Sequence, residues 1–160
     1  MSAARRDVAP AALAAVARGQ GSLARALGVP GEALAAARHL AWTALEAGRD
    51  DIARVLLEGC VALDEADRWS ARALGELLLR TGQVQAALEV SHRAASAARA
   101  AGATDAGACL VAARALIASG RTSDAVGWLR AAHGDPTASR AVQRVAHAVA
   151  DRIDGGNGPR

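Results

Sequence analysis

The chain has 160 residues, a hydrophobic fraction of 52%, and 19 basic side chains, all of them arginine, against 16 acidic ones. Alanine fills more than a quarter of the sequence, and three tryptophans are the only aromatic residues. This composition excludes a disordered chain and a sheet-rich fold, because alanine favours helix and strand-forming residues are scarce. The net charge of +3 is too small to indicate a nucleic-acid binder.

No apolar run reaches the ~18–20 residues that span a bilayer, and the N-terminus does not have the pattern of a secretory signal. We therefore expect a cytoplasmic protein without stable membrane insertion. Its two cysteines, Cys60 and Cys109, have the spacing of neither a disulfide framework nor a metal site. They fall at small-residue packing positions and are predicted to be buried thiols.

Residues 1–33 are predicted to form an N-terminal helical segment. A short helix is expected over residues 10–18, with a glycine-rich break at residues 19–21. Residues 22–34 read as a helix-turn-helix with Gly28 at the turn. The first turn of the second helix, residues 30–34, offers no Arg, Gln or Asn to read bases, and it runs straight into the next element. We therefore predict no direct contact with nucleic acid.

Three glycine-containing turns then recur at Gly48, Gly82 and Gly120, separated by 34 and 38 positions. A period of about 34 residues is typical of the tetratricopeptide repeat, a pair of helices joined by a short turn. The four additional residues amount to about one helical turn, which is expected near residues 97–101. The sequence thus predicts three repeats over residues 34–136, with bounds 34–67, 68–105 and 106–136.

Small residues at fixed positions support this register. Ala53, Ala87 and Ala125 are the small residues of the second helix of each repeat, and close helix crossing requires small side chains there. Four positions later Leu57 and Leu129 supply the expected large apolar group. Ser91 stands at the same position of the second repeat and breaks the pattern.

A last helix is predicted over residues 137–153, with an apolar stripe that would cover the end of the repeats. Residues 154–160 are predicted to be a flexible tail. The expected fold is all-α: three tetratricopeptide-like helix pairs in a short right-handed solenoid, with an N-terminal helix and a C-terminal capping helix.

In such a solenoid the first helix of each pair lines the concave side. Alternating apolar, guanidinium and carboxylate groups there suit an extended peptide, whose apolar side chains enter pockets while Arg or Glu bonds its polar groups. For the tryptophans of this set core packing is the alternative, and for the arginines a solvated helix face. The predicted groove residues are Arg38, Trp42, Leu45, Trp69, Arg72, Glu76, Leu79, Leu110, Arg114 and Ile117.

Catalytic and cofactor-binding motifs are not evident. The sequence shows no nucleophile elbow, phosphate loop, paired carboxylates or zinc motif. Its four histidines, His39, His92, His133 and His147, share no helical face in the sequence pattern. We therefore expect a binding protein, not an enzyme, without metal or cofactor.

The chain resembles one tetratricopeptide family, the class II chaperones of bacterial type III secretion, over about residues 20–150. The resemblance rests on the lead-in Gly21-Ser22-Leu23 with Gly28-Val29-Pro30-Gly31-Glu32, and on Leu40-Ala41-Trp42, Cys60-Val61-Ala62-Leu63-Asp64 and Leu74-Gly75. That family usually lines its groove with tyrosine and phenylalanine, of which this sequence has none.

The resemblance implies a cytoplasmic chaperone that holds a hydrophobic translocator by a short segment in the groove. It also implies a homodimer to which the segment before Gly28 contributes. A generic tetratricopeptide adaptor or regulatory scaffold, which joins protein partners without a holding role, is the alternative.

Overall fold

The computed structural model describes residues 11, 13–18 and 21–156, and none of these lies in a β-strand. After a helical stretch at residues 13–17 come helices α1 (Leu23–Ala26), α2 (Gly31–Glu46), α3 (Asp50–Leu63), α4 (Arg68–Arg80), α5 (Val84–Ala100), α6 (Ala106–Ala118), α7 (Thr122–His133) and α8 (Arg140–Gly156). The chain divides into two compact units, unit 1 up to Ser70 and unit 2 from Ala71. The prediction of an all-α fold is confirmed.

The three predicted turn glycines end the first helix of each pair in the same way. Gly48, Gly82 and Gly120 have φ of 68°, 77° and 77°, a left-handed conformation that only glycine adopts without strain. In each case the amide of the following residue donates to a carbonyl five residues back, for example Gln83 N to Leu78 O at 2.8 Å. This is the Schellman motif, which satisfies carbonyls that a helix end leaves without partners.

Unit 1 is built on the packing of α2 against α3. Ala41, Ala53 and Leu57 are fully buried there, as the small-then-large pattern predicts. Leu40, next to Ala41, is instead 57% exposed, whereas Leu74 at the same position of the second repeat is buried. Leu40 thus remains an exposed apolar side chain on the first repeat, whereas its counterpart Leu74 in the second repeat is buried.

In unit 2 the helices from α5 to α8 pack each on the next. Helix α6 is the most buried, with Cys109, Val111 and Leu116 among its buried residues. Ser91 on α5 is buried as well, at the position where the other repeats have leucine. Its hydroxyl donates to the carbonyl of Ala87 at 2.6 Å, so the helix itself satisfies this buried polar group.

Gly75 marks a close approach of α4 to α6. A Cβ at this position would lie 2.7 Å from Cγ1 of Val111, closer than two carbon atoms can approach. The missing side chain therefore lets Val111, itself fully buried, fill the space at the crossing.

Two features lie in different places from those expected along the chain. Helix α8 begins at Arg140, not at residue 137, because Oδ1 of Asp135 accepts hydrogen bonds from the amide and hydroxyl of Thr137 and holds a turn there. Ser139 then caps the helix through the amide of Val142. The helix continues to Gly156, so the predicted tail overlaps its last turn, and residues 157–160 lie outside the described part of the chain.

The segment that reads as a helix-turn-helix does not form one. Its first helix, α1, has only four residues, and its second is the 16-residue α2, which is the first helix of the first repeat. The predicted helix at residues 10–18 is seen at residues 13–17, while residues 1–10 lie outside the described residues.

Candidate peptide-binding surfaces

Unit 1 carries an aromatic pair on its surface. Trp42 of α2 is 48% exposed, and its ring centroid lies 6.5 Å from that of Trp69, which is partly buried, with the planes tilted by 56°. Edge-on and tilted contacts of this kind are the favoured arrangement of aromatic rings. Trp42 is therefore not a core residue, and the pair offers an apolar surface that a partner could cover.

A charged residue on the same helix as Trp42 is paired with a buried carboxylate. Arg38 Nη1 lies 3.1 Å from Oδ2 of Asp67, which is buried. The carboxylate also accepts from the amide of Ser70 at 3.1 Å and from its hydroxyl at 2.8 Å, which caps the start of α4. Arg38 is thus held in place by a buried acceptor and is not a freely solvated charge.

In unit 2 the predicted residues lie on α4 and α6. Arg114 of α6 makes an ion pair with Glu76 of α4, both side chains partly exposed. The stem of Arg72 lies against Gly107, since a Cβ there would be 2.6 Å from Cδ of Arg72. Ile117 is 38% exposed. The structure thus shows two separate ion pairs among the predicted residues and their partners, Arg114 with Glu76 and Arg38 with Asp67.

None of the ten predicted groove residues belongs to the buried core. Four of them are exposed, namely Trp42, Arg72, Arg114 and Ile117. The other six are partly buried, namely Arg38, Leu45, Trp69, Glu76, Leu79 and Leu110. Six of them belong to unit 2 and four to unit 1. Each unit therefore presents its own set of apolar and charged side chains.

Both cysteines are buried free thiols, in agreement with the prediction. Burial first, and then the carboxylates of Asp105 and Asp135, together raise the pKa of the Cys109 thiol from its ordinary 9.0 to about 11. Burial also raises the pKa of Cys60, although a hydrogen bond with Ser70 opposes the shift. Thiols held protonated in this way are poor nucleophiles.

The histidines are less scattered than their sequence positions indicate. The rings of His133 and His147 stack with centroids 4.9 Å apart, and His92 packs edge-on against Trp128 at 5.6 Å. Both contacts join different helices, so neither shows as a helical periodicity in the sequence. Within the described ranges no group of three His, Cys, Asp or Glu side chains could hold a metal ion.

An apolar hollow of about 360 Å³ lies in unit 1 between α2 and α3. Leu40 and Ile52, both exposed, stand at its sides. Among the described helices none is long and apolar enough to cross a bilayer. The exposed Leu40 and Ile52 thus form an apolar patch on the surface of unit 1, a feature typical of interaction sites.

No family model and no curated protein matches the sequence. Solved structures do match its fold. A type III secretion complex from Aeromonas hydrophila superposes with a TM-score of 0.79 and 19% identity, over 94% of this chain and 99% of that one. PcrH in complex with the chaperone binding region of PopD gives 0.71 and 19%, over 81% and 96% of the two chains.

The translocator chaperone SycD of Yersinia enterocolitica, in complex with a peptide of the translocator YopD, gives a TM-score of 0.67 and 17% identity, over 79% of this chain and 94% of that one. A second SycD structure, described as an alternative dimer, gives 0.71 and 16%, over 82% and 98%. The superpositions cover nearly the whole length of these neighbours. The chain therefore has the all-α fold of the type III secretion translocator chaperones.

Proposed function

We propose that this chain is a cytoplasmic secretion chaperone that holds a hydrophobic, membrane-active client by a short extended segment. The observation that carries the proposal is the fold, which is shared along almost the full length of chaperones solved with translocator peptides. The proposed role is binding, without catalysis or cofactor. Binding to this chain would keep the apolar segments of the client out of water.

The exposed aromatic pair supports this role. In a chain with three aromatic residues, Trp42 and Trp69 meet on the surface of unit 1. Exposing a tryptophan costs the free energy that its burial would provide, about 1.5–3 kcal/mol for a large apolar side chain. A partner that covers the pair recovers this free energy, so we assign the pair as the apolar anchor for the client.

Arginine side chains on each unit are assigned the role of orienting the bound client segment. Arg38 in unit 1, and Arg72 and Arg114 in unit 2, carry guanidinium groups on the same helices as partly buried leucines. A guanidinium donates several hydrogen bonds in one plane and suits the carbonyl groups of an extended backbone. Leu79, Leu110 and Ile117 provide the apolar contacts of unit 2. This combination fits a segment with apolar side chains and unpaired backbone groups.

Co-purification of the tagged chain from its native host, followed by mass spectrometry, tests the chaperone role. We expect one dominant client with predicted transmembrane hairpins, encoded near the gene for this chain. A generic adaptor would instead retain soluble folded proteins without such hairpins. That result would reject the holding role and leave the alternative of a tetratricopeptide adaptor or regulatory scaffold.

We also propose that the chain forms a homodimer with a contribution from the segment before Gly28. The exposed Leu40 and Ile52 support a protein contact on unit 1, because exposed apolar patches mark interaction surfaces. Removal of residues 1–20 should shift the sedimentation profile toward monomer while the helical content of the repeats is retained. An unchanged profile would contradict the assigned contribution of this segment.

A further inference from the structure

The second helix of the first repeat carries two apolar faces, and only one of them is buried. Helix α3 buries Ala53, Leu57 and Cys60. On a different side of the helix, four residues at positions i, i+3, i+4 and i+7 form one stripe, which we call the α3 stripe. Two of them, Ile52 and Val55, are 36% and 69% exposed. The whole stripe consists of Ile52, Val55, Leu56 and Gly59.

The equivalent positions of the second repeat show which residues this chain places on a solvated face. Glu89 and Arg93 of α5 follow Val55 and Gly59 by 34 positions, and both are exposed. Charged side chains of this kind favour solvent. The first repeat instead exposes a valine at one of these positions and has no side chain at the other. The α3 stripe is therefore not the ordinary outer face of a repeat.

The α3 stripe borders the hollow between α2 and α3. Ile52 and Leu56 line this hollow together with Leu40 of α2, which is 57% exposed. After the last repeat, helix α8 supplies a cover, since its buried alanines share a cluster with α7. Before the first repeat the described part of the chain has α1, of four residues, and the helical stretch at residues 13–17. Because an array of repeats needs its end faces covered, a helix from another chain is expected on this one.

The spacing within the stripe makes it complementary to itself. When two α3 helices run antiparallel about a two-fold axis between residues 55 and 56, Ile52 of each copy stands opposite Gly59 of the other, and Val55 stands opposite Leu56. A Cβ at Gly59 would meet nothing within 4 Å, so this position is open to the isoleucine of the second copy. A large side chain that faces a glycine lets two helices approach closely. An isologous dimer requires a self-complementary face of this kind.

We propose that two copies of this chain associate through the α3 stripe, with the two α3 helices antiparallel and Leu40 at the edge of the contact. The inference rests on the homodimer proposed above and names its interface. The centre of the contact is then the first repeat, and the segment before Gly28 adds to it without forming its centre.

Sedimentation equilibrium of the full chain over a series of concentrations measures the dissociation constant of the dimer. Val55→Glu gives the stripe the residue that the second repeat has at this position. We expect it to weaken the dimer at least about tenfold, because the two-fold axis brings the new carboxylates of both copies together. Val145→Glu on α8, at an exposed valine outside the stripe, is the matched control and should change the dissociation constant less than about twofold.

A second pair of variants tests the antiparallel arrangement. Gly59→Leu adds a side chain where the folded chain has open space, so it retains the fold, and circular dichroism checks this. We expect it to weaken the dimer at least about tenfold, because the added side chain overlaps Ile52 of the other copy. Ile52→Ala in the same chain removes the overlap and should recover most of the lost affinity.

Three results would overturn the proposal. A parent chain that is monomeric at every concentration would reject the interface together with the homodimer. A dimer that Val55→Glu leaves unchanged would reject this interface alone and assign the homodimer to the segment before Gly28. Weakening by Gly59→Leu without recovery by Ile52→Ala would reject the antiparallel arrangement.

Discussion

Alkaline pH should destabilise this protein through its cysteines. The chain has neither lysine nor tyrosine, and arginine stays charged above pH 12, so between pH 9 and pH 11 Cys60 and Cys109 are the side chains that change charge. In the folded state Cys109 keeps its proton up to a pKa of about 11, against 9.0 for an ordinary thiol. The unfolded chain therefore loses this proton first.

The sign and size follow from linkage. Stability is complete below about pH 9, where both states hold the proton, and it falls as the pH rises to about 11. Two pKa units at 1.36 kcal/mol each give a loss of roughly 2–3 kcal/mol from Cys109. Cys60, whose pKa is also raised, adds a loss of the same sign.

Urea denaturation followed by far-ultraviolet circular dichroism, at a series of pH values from 8 to 11 with a reductant present, measures this loss. The control is Cys60→Ala combined with Cys109→Ala, which should give a nearly flat profile from a lower starting stability. A flat profile for the parent, or an equal decline in the double variant, would refute the assignment to buried thiols.

Two further substitutions probe the packing and the buried ion pair. Gly75→Ala should destabilise the fold by about 1–3 kcal/mol because its Cβ meets Val111 at 2.7 Å. Gly59→Ala, which meets nothing within 4 Å on its helix, should stabilise by about 0.5–1 kcal/mol, and equal effects of the two would contradict the crossing. Arg38→Ala should cost about 1–3 kcal/mol because it leaves a buried carboxylate without its cation. Arg121→Ala, which removes an exposed pair, should cost less than about 1 kcal/mol by the same urea assay, and a reversed order would refute the contrast.

The elements that the sequence predicts well are local ones. A glycine with positive φ ends a helix by its own backbone geometry, so Gly48 and Gly82 locate the turns. Ala53 and Ala87 locate the crossings because only small side chains fit there. These constraints act within a few residues and are readable without knowledge of the fold.

Features that depend on contacts between helices were not predictable in the same way. The contact of His92 with Trp128 joins side chains 36 positions apart, and the stack of His133 on His147 joins two helices. The late start of α8 depends on one side chain, Asp135, that competes with the helix for backbone hydrogen bonds.

For the candidate site, the sequence predicted which residues avoid the core, because they occupy one face of the first helix of each pair. It did not predict their partners. Asp67 was not a candidate, although it fixes Arg38. Asp105 follows it by the spacing of the second and third turn glycines and caps α6 as Asp67 caps α4. The equivalent spacing of these two aspartates is a signal that a search for repeats in polar residues could have found.

Trp42 and Trp69 are proposed to anchor the client, and this role is tested by measuring binding and folding stability in the same variants. Once co-purification identifies a client, its overlapping synthetic segments are titrated against the parent, Trp42→Ala and Trp69→Ala, and each variant is also unfolded in urea. We expect each substitution to weaken binding of one segment by about 2 kcal/mol or more, with little change in helical content or stability. Loss of several kcal/mol of stability in both variants, with unchanged binding by the folded fraction, would contradict it and place the tryptophans in the core.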